Sequence, residues 1–271
     1  MLPGSLVLVG AGKMGGALLD GWLRLGLDPG GVSILDPAPS EHIIAGCATR
    51  GMHLNPAIEA IKAPTVVVLA IKPQMLNEAA PMIAALLRPA TLLLSILAGK
   101  TIADLHARLS IARAIVRAMP NTPVAIGRGI TGAVANEGVS TSQRAVADTL
   151  LSAVGRVEWL ASEALINPLT AVSGSGPAYV FHLAECMAAA GEAMGLPPDL
   201  AARLARSTIE GAGELMFRSP DVPVATLRQN VTSPGGTTAA ALDVLMSEHG
   251  LGRLMRAAIA AATRRAAELS G

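Results

Sequence analysis

The chain has almost no aromatic residues, only two cysteines, no excess of either charge and no long uninterrupted apolar run. Each shortage removes a class of function. Five aromatic residues (two Trp, one Tyr, two Phe) scattered over 271 positions cannot form a base-stacking platform. Lys and Arg number 21 against 20 Asp and Glu, so a formal charge of +1 offers no footprint for a polyanion, and no nucleic-acid partner is expected. Cys47 and Cys186 are too few for a disulfide framework or a four-ligand zinc site, and no metal is expected. Both lie in apolar-leaning stretches, where a small buried thiol is the ordinary outcome. Mean hydropathy is high, at +0.49. Pro, Lys and Arg nevertheless cut the apolar runs well before the roughly 18 residues of a spanning helix, so no membrane partner is expected. Met1-Leu2-Pro3-Gly4-Ser5 runs straight into Leu6–Val9 with no basic segment or cleavage site, which predicts a cytoplasmic protein.

What the chain does have is a large aliphatic inventory: 51% hydrophobic with 2% aromatic, a core of Ala, Val, Leu, Ile and Met suited to close-packed helices and parallel strands. Strand-like runs at Leu6–Val9, Val32–Leu35, Thr65–Ala70, Thr91–Ile96, Ile115–Ala118 and Gly132–Ala135 alternate with helical segments such as Ala17–Leu25, Gln74–Leu87 and Ile102–Leu109. That alternation predicts an α/β fold with a mostly parallel, doubly wound sheet. Beyond about residue 160 the pattern becomes all helical, at Ala178–Gly195, Asp199–Arg218, Thr238–Glu248 and Gly252–Ser270. The expected division is 1–162 and 163–271, joined without a linker near Ser162–Pro168. The helical half carries Ala and Leu on more than one face, which calls for burial against a second subunit.

Gly10-Ala11-Gly12-Lys13-Met14-Gly15 fits G-x-G-x-x-G, follows the first strand, opens a helix, and has Asp36 closing the second strand. In that context it is the dinucleotide fingerprint. Gly10 allows the tight turn, Gly12 a close approach to pyrophosphate and Gly15 helix–strand packing, while the helix N-terminus attracts the anion. Asp36 either accepts a ribose 2′-hydroxyl or caps the turn before Pro37. With no Arg in the following Pro37-Ala38-Pro39-Ser40, NADH is expected to serve at least as well as NADPH. Two more strand ends fall where an open sheet binds ligand: Ala70-Ile71-Lys72-Pro73 and Ser95-Ile96-Leu97-Ala98-Gly99. Lys72 is either an ordinary solvated lysine or a cation beside the cofactor.

Ser173-Gly174-Ser175-Gly176-Pro177-Ala178-Tyr179 and Val231-Thr232-Ser233-Pro234-Gly235-Gly236-Thr237-Thr238 each precede a long helix and read as anion cradles. Helix capping alone accounts for Ser, Thr and Pro there, but does not require adjacent glycines. Together with the fingerprint, Ala70-Ile71-Lys72-Pro73-Gln74 and Arg117-Ala118-Met119-Pro120-Asn121-Thr122-Pro123, these stretches make the whole chain resemble the pyrroline-5-carboxylate reductase family. The resemblance implies a Rossmann-type domain followed by an all-α dimerisation domain, in dimers that can gather into a decamer, and NAD(P)H-dependent reduction of a cyclic imino acid to L-proline. It further implies that Ser233, Gly235, Gly236, Thr237 and Thr238 form the loop that binds the substrate carboxylate and that Thr238 also meets the ring nitrogen as the catalytic position. By the same resemblance Glu163 lies near the substrate and Asn230 near the cofactor.

Three other readings compete. A β-hydroxyacid dehydrogenase shares the plan but uses a lysine from the helical half, and this chain has none after Lys100. An imine reductase of the same architecture would act on a related ring. A non-catalytic dinucleotide-binding regulator leaves the second cradle unexplained.

Overall fold

Short β-branched and leucine-rich runs buried on both faces pair edge to edge, and the amphipathic segments between them cover the faces. The computed structural model describes residues 2–270; Met1 and Gly271, the outer limits of the two expected domains, lie outside the described residues. The first part runs β1 (Leu6–Val9), α1 (Lys13–Arg24), β2 (Val32–Leu35), α2 (Glu41–Arg50), β3 (His53–Leu54), β4 (Val66–Leu69), α3 (Leu76–Leu86), β5 (Leu92–Ser95), α4 (Ile102–Arg108), β6 (Ala114–Met119), β7 (Gly129–Ala135), α5 (Thr141–Ser152) and β8 (Gly155–Trp159). The strands form one sheet in the order β3-β2-β1-β4-β5-β6-β7-β8. All neighbours are parallel except β6 and β7. Only a short helical turn at Thr122–Ile126 joins that pair, too little chain for a crossover, so the strand turns back.

Alternation along β1 splits the core into two layers, with Leu6 and Leu8 on the face of Trp22 and Val68, and Val7 and Val9 on the face of Ile83 and Leu105. The buried Trp22 indole N–H donates to the Leu150 carbonyl at 2.8 Å, tying α1 to α5. Cys47 is buried there, and burial pushes its thiol pKa up. Cys186 departs from expectation: it is exposed within the chain, on a helix whose neighbours leave that side open.

The chain continues through α6 (Ile166–Leu169), a π-turn at Thr170–Gly174, α7 (Gly176–Ala193), α8 (Pro198–Arg218), α9 (Val224–Asn230), α10 (Thr237–Leu245) and α11 (Leu251–Ser270). By contact it divides into two units, Met1–Gly174 with Thr263–Gly271, and Ser175–Ala262. Residues 163–174 count with the sheet because Ile166 and Ala171 are buried and Leu169 lies over Gly132. In the second unit α7 and α8 form a hairpin through Gly195, whose φ of +97° places it in the left-handed region. Gly191 keeps that hairpin close: a Cβ there would already sit 3.5 Å from the Ala201 Cβ. Among the described residues, no helix is long and apolar enough to cross a membrane.

Candidate active site

Parallel pairing brings the carboxyl ends of β2, β1, β4, β5 and β6 to one edge, and pairing continues past the strands. Gly10 N–H donates to Leu35, Ala70 N–H to Val9 and Ile96 N–H to Leu69, at 2.8, 2.8 and 3.0 Å. The chain switches from one side of β1 to the other between β2 and β4, which creates the crevice where open α/β sheets take ligands. Gly10, Gly12, Lys13, Met14, Gly15, Asp36, Ala70, Ile71, Lys72 and Pro73 therefore lie along one rim, continued by Ala98 and Gly99 beyond β5.

The glycine turn fits a dinucleotide. At Gly10, φ is +92° and a Cβ would fall 2.7 Å from the Ala70 carbonyl oxygen. A Cβ at Gly15 would strike the Gly10 carbonyl, whereas one at Gly12 would meet only open space, leaving that backbone free to approach a ligand. Helix α1 begins with no side-chain cap and no acidic residue in its first turn, so its leading N–H groups and positive dipole end are free for pyrophosphate.

Asp36 does cap its turn: one carboxylate oxygen accepts from Ala38 N–H at 2.9 Å and the other from Ala11 N–H at 2.7 Å. Each oxygen keeps a further lone pair for a ribose hydroxyl. Asn55 clamps the Asp36 peptide from both sides, accepting its N–H at 2.9 Å and donating to its carbonyl at 2.8 Å. Sequence reading missed this residue, though a non-glycine with φ of +46° marks it. Asp36 and Asn55 border a cleft of about 330 Å³ whose lining includes Leu35, Ile58, Ile71 and Glu78 and no lysine or arginine. Lys72 is exposed at the start of a helical turn.

Glu163 stands at the same edge, farther along the sheet. Its Oε1 accepts from Arg117 Nη1 on β6 at 2.7 Å and from the Ile102 N–H at the head of α4 at 2.9 Å. Arg117 belongs to the Arg117–Pro123 stretch, whose sequence alone assigns it no role. Nearby Asn121 is buried, accepting the Ile130 N–H at 2.9 Å and donating to the Ser173 carbonyl at 3.2 Å. The expected anion cradle at Ser173–Gly176 takes another form: instead of a loop before a helix, the π-turn joins α6 to α7, and Ser173 Oγ donates back to the Leu169 carbonyl at 3.1 Å. The serine bonds the preceding turn and widens it, so the segment makes no fresh helix start.

The second stretch is a turn ahead of a helix and lies wholly in the second unit. Asn230 ends α9, and Thr232 Oγ1 turns back to the Arg228 carbonyl at 2.7 Å. Ser233 through Gly236 close a turn, Gly236 N–H donating to the Ser233 carbonyl at 3.0 Å, with Gly235 left-handed at φ +70°. A Cβ on Gly236 would lie 2.7 Å from Ser233 Oγ, so only glycine keeps that hydroxyl where it is. Helix α10 then starts at Thr237 with no side-chain cap, presenting free N–H groups beside the Thr237 and Thr238 hydroxyls.

Known proteins are similar to this chain along nearly its whole length. Residues 163–269 match the pyrroline-5-carboxylate reductase dimerisation family, and residues 5–99 match the family described as NADP oxidoreductase, coenzyme F420-dependent. A pyrroline-5-carboxylate reductase of Pseudomonas aeruginosa is 41% identical over 98% of this chain and 96% of its own. The structure of a pyrroline-5-carboxylate reductase from Coxiella burnetii superposes with a TM-score of 0.90 at 35% identity, covering 99% of both chains. That of a Plasmodium falciparum pyrroline carboxylate reductase with NADP bound gives 0.78 at 27% identity over 98% of both. Identity sustained over nearly the full length of both partners makes this chain a member of the pyrroline-5-carboxylate reductase family.

Proposed function

We propose that the protein reduces the ring C=N bond of 1-pyrroline-5-carboxylate to L-proline with NAD(P)H, as the last step of proline biosynthesis. The observation that carries this reading is the uncapped start of α10, where Gly235, Gly236 and two threonines leave backbone N–H groups and hydroxyls for one small carboxylate. In this role Ser233, Gly235, Gly236 and Thr237 bind the substrate carboxylate. Thr238 orients the ring nitrogen and relays a proton from water, since a hydroxyl is too weak an acid to act alone. The dihydronicotinamide, when bound, supplies the hydride. Gly10, Gly12, Lys13, Met14 and Gly15 hold its pyrophosphate, and Ala70–Pro73, Ala98, Gly99 and Asn230 border the rest of it.

Asp36 and the absence of a cation from the cleft beside it support use of NADH at least equal to that of NADPH. We keep 1–162 as the cofactor part and 163–271 as the substrate and dimerisation part. The protein acts in the cytoplasm as a dimer able to gather into a decamer, with neither nucleic acid nor membrane as partner. The test is NAD(P)H oxidation in the presence of pyrroline-5-carboxylate, with L-proline measured as product. Equal molar amounts of proline and oxidised cofactor are expected. No oxidation with either cofactor would overturn the reading and favour a regulator.

A further inference from the structure

A buried arginine that holds a partly open carboxylate is costly unless the arrangement serves something, because breaking or burying such a pair carries a large desolvation penalty. Arg117 is 4% exposed and Glu163 30%, at an N···O distance of 2.7 Å. Both donors converge on Oε1, from Arg117 and from Ile102 N–H. Among the described residues no buried side-chain oxygen lacks a partner, so Oε2, which has none, is open to solvent or ligand. The pair sits at the carboxyl edge, with Arg117 in register with Ser95 of β5. A ring that receives a hydride from a dinucleotide held on this sheet must meet its donor at that edge.

We propose that Arg117 is a positioning residue for the reaction: by holding Oε1 it fixes the orientation of the Glu163 carboxylate, and Oε2 receives the N–H of the substrate's protonated ring nitrogen. The inference rests on the reading of the chain as a pyrroline-5-carboxylate reductase. Its chemistry balances. The ring carbon gains a hydride with its electron pair, the C=N π pair becomes the nitrogen lone pair, and the dihydronicotinamide is oxidised. Nitrogen then takes one proton from water to give the ammonium of proline, which keeps its contact with Oε2. A fixed negative charge beside the imine favours its protonated form, the better hydride acceptor. The other charged groups on the elements Glu163 touches are Lys100, Asp104, His106 and Arg108, on or before α4. Of these, Asp104 is held by Thr101 and Arg108, and His106 lies 3.4 Å from the Ala112 carbonyl.

The test compares Glu163→Gln, Arg117→Gln and the double variant with the wild type, all as full-length protein. Glu163→Gln is expected to move the alkaline limb of the kcat profile about one pH unit toward acid, because a neutral amide no longer favours the protonated imine. L-Proline binding measured by calorimetry should weaken about tenfold, while the NADH dissociation constant stays within about twofold. If Arg117 acts only through Glu163, the double variant matches Glu163→Gln within about threefold in kcat and shares its profile. The double variant removes both charges together, so it carries the test even where Arg117→Gln alone does not fold. An alkaline limb unmoved in Glu163→Gln, or a double variant far below it, overturns the proposal while wild-type activity leaves the reaction standing. A wild type inactive on pyrroline-5-carboxylate overturns both.

Discussion

The two units handle their apolar surface in opposite ways. The first closes on itself: strands β1, β4 and β5 are buried throughout, and Trp22, Leu8, Ile83 and Leu94 are fully enclosed. The second, among the described residues from Ser175 to Ala262, buries only Ala201 and Ala205. Phe181, Leu204, Phe217, Val244 and Leu254 all remain exposed within one chain. So much open apolar surface is a feature of interaction faces rather than of a monomer. Self-association, supported by the match to the dimerisation family, is what completes this half. A chain can thus carry one domain whose stability is its own and another whose stability depends on protein concentration.

The largest effect tests the self-sufficient side. Trp22→Ala removes a fully enclosed indole and its bond to Leu150, and should cost about 3–5 kcal/mol in denaturant unfolding, whatever the protein concentration. A concentration-dependent loss would break the contrast. Phe181→Asp addresses the other side, and should cost about 2–4 kcal/mol of association, read as smaller particles in sedimentation and a lower Tm at low concentration. If assembly size is unchanged, that face is not the one covered.

Function should divide along the same line, since the cradle lies in the second unit and the fingerprint in the first. Thr238→Ala should lower kcat about 100-fold and leave the NADH dissociation constant within about twofold. Unchanged kcat removes Thr238 from the mechanism. Gly236→Val should raise the substrate KM about tenfold, because its side chain displaces Ser233 Oγ, again without weakening cofactor binding.

The smallest expected effect lies at Asp104, in the capping box of α4. Burial pulls its pKa up, but the Thr101 N–H and hydroxyl, with Lys100 and Arg108, outweigh it and hold the carboxyl below its ordinary value. The native state therefore binds the proton less readily than the unfolded chain. The stabilisation is full above the ordinary carboxylate range and is lost as pH falls through the lowered value. Asp104→Asn should cost about 0.5–1 kcal/mol near neutrality and nothing at strongly acid pH. A constant deficit at every pH would mean that packing, not charge, is what Asp104 contributes.

Much of the fold was legible because hydrophobic period is a local property. The runs at Leu6–Val9 and Val32–Leu35 are strands to the residue, and the four long C-terminal helices lie within a few residues of their expected bounds. Helices α2 and α5 were missed because they are short of apolar stripe, although Ser40 before the first and the Ser140–Gln143 capping box before the second are start signals. Strands β3 and β8 were missed because their exposure lets polar residues in, whereas β7 was expected from Gly132 to Ala135 and only its antiparallel direction was not, because direction depends on the loop. At the site, the glycines and the α10 turn were legible, since conformations that need φ > 0 leave a glycine signature. The clamp of Asn55 on Asp36 and the ion pair of Arg117 with Glu163 were not, because each partner is far away in sequence.

By itself the sequence determined which stretches could be strands and helices, where the dinucleotide turn and the second turn must lie, and that the aliphatic excess of the C-terminal half needed cover. Those are consequences of residue type and spacing alone. Only the tertiary structure decided that the Ser173 stretch widens a helix instead of opening one. It also decided that Asp36 ties two loops together and that Glu163 keeps one oxygen bound and one open. Such outcomes depend on which distant backbone groups arrive within hydrogen-bonding reach, and no local pattern encodes that.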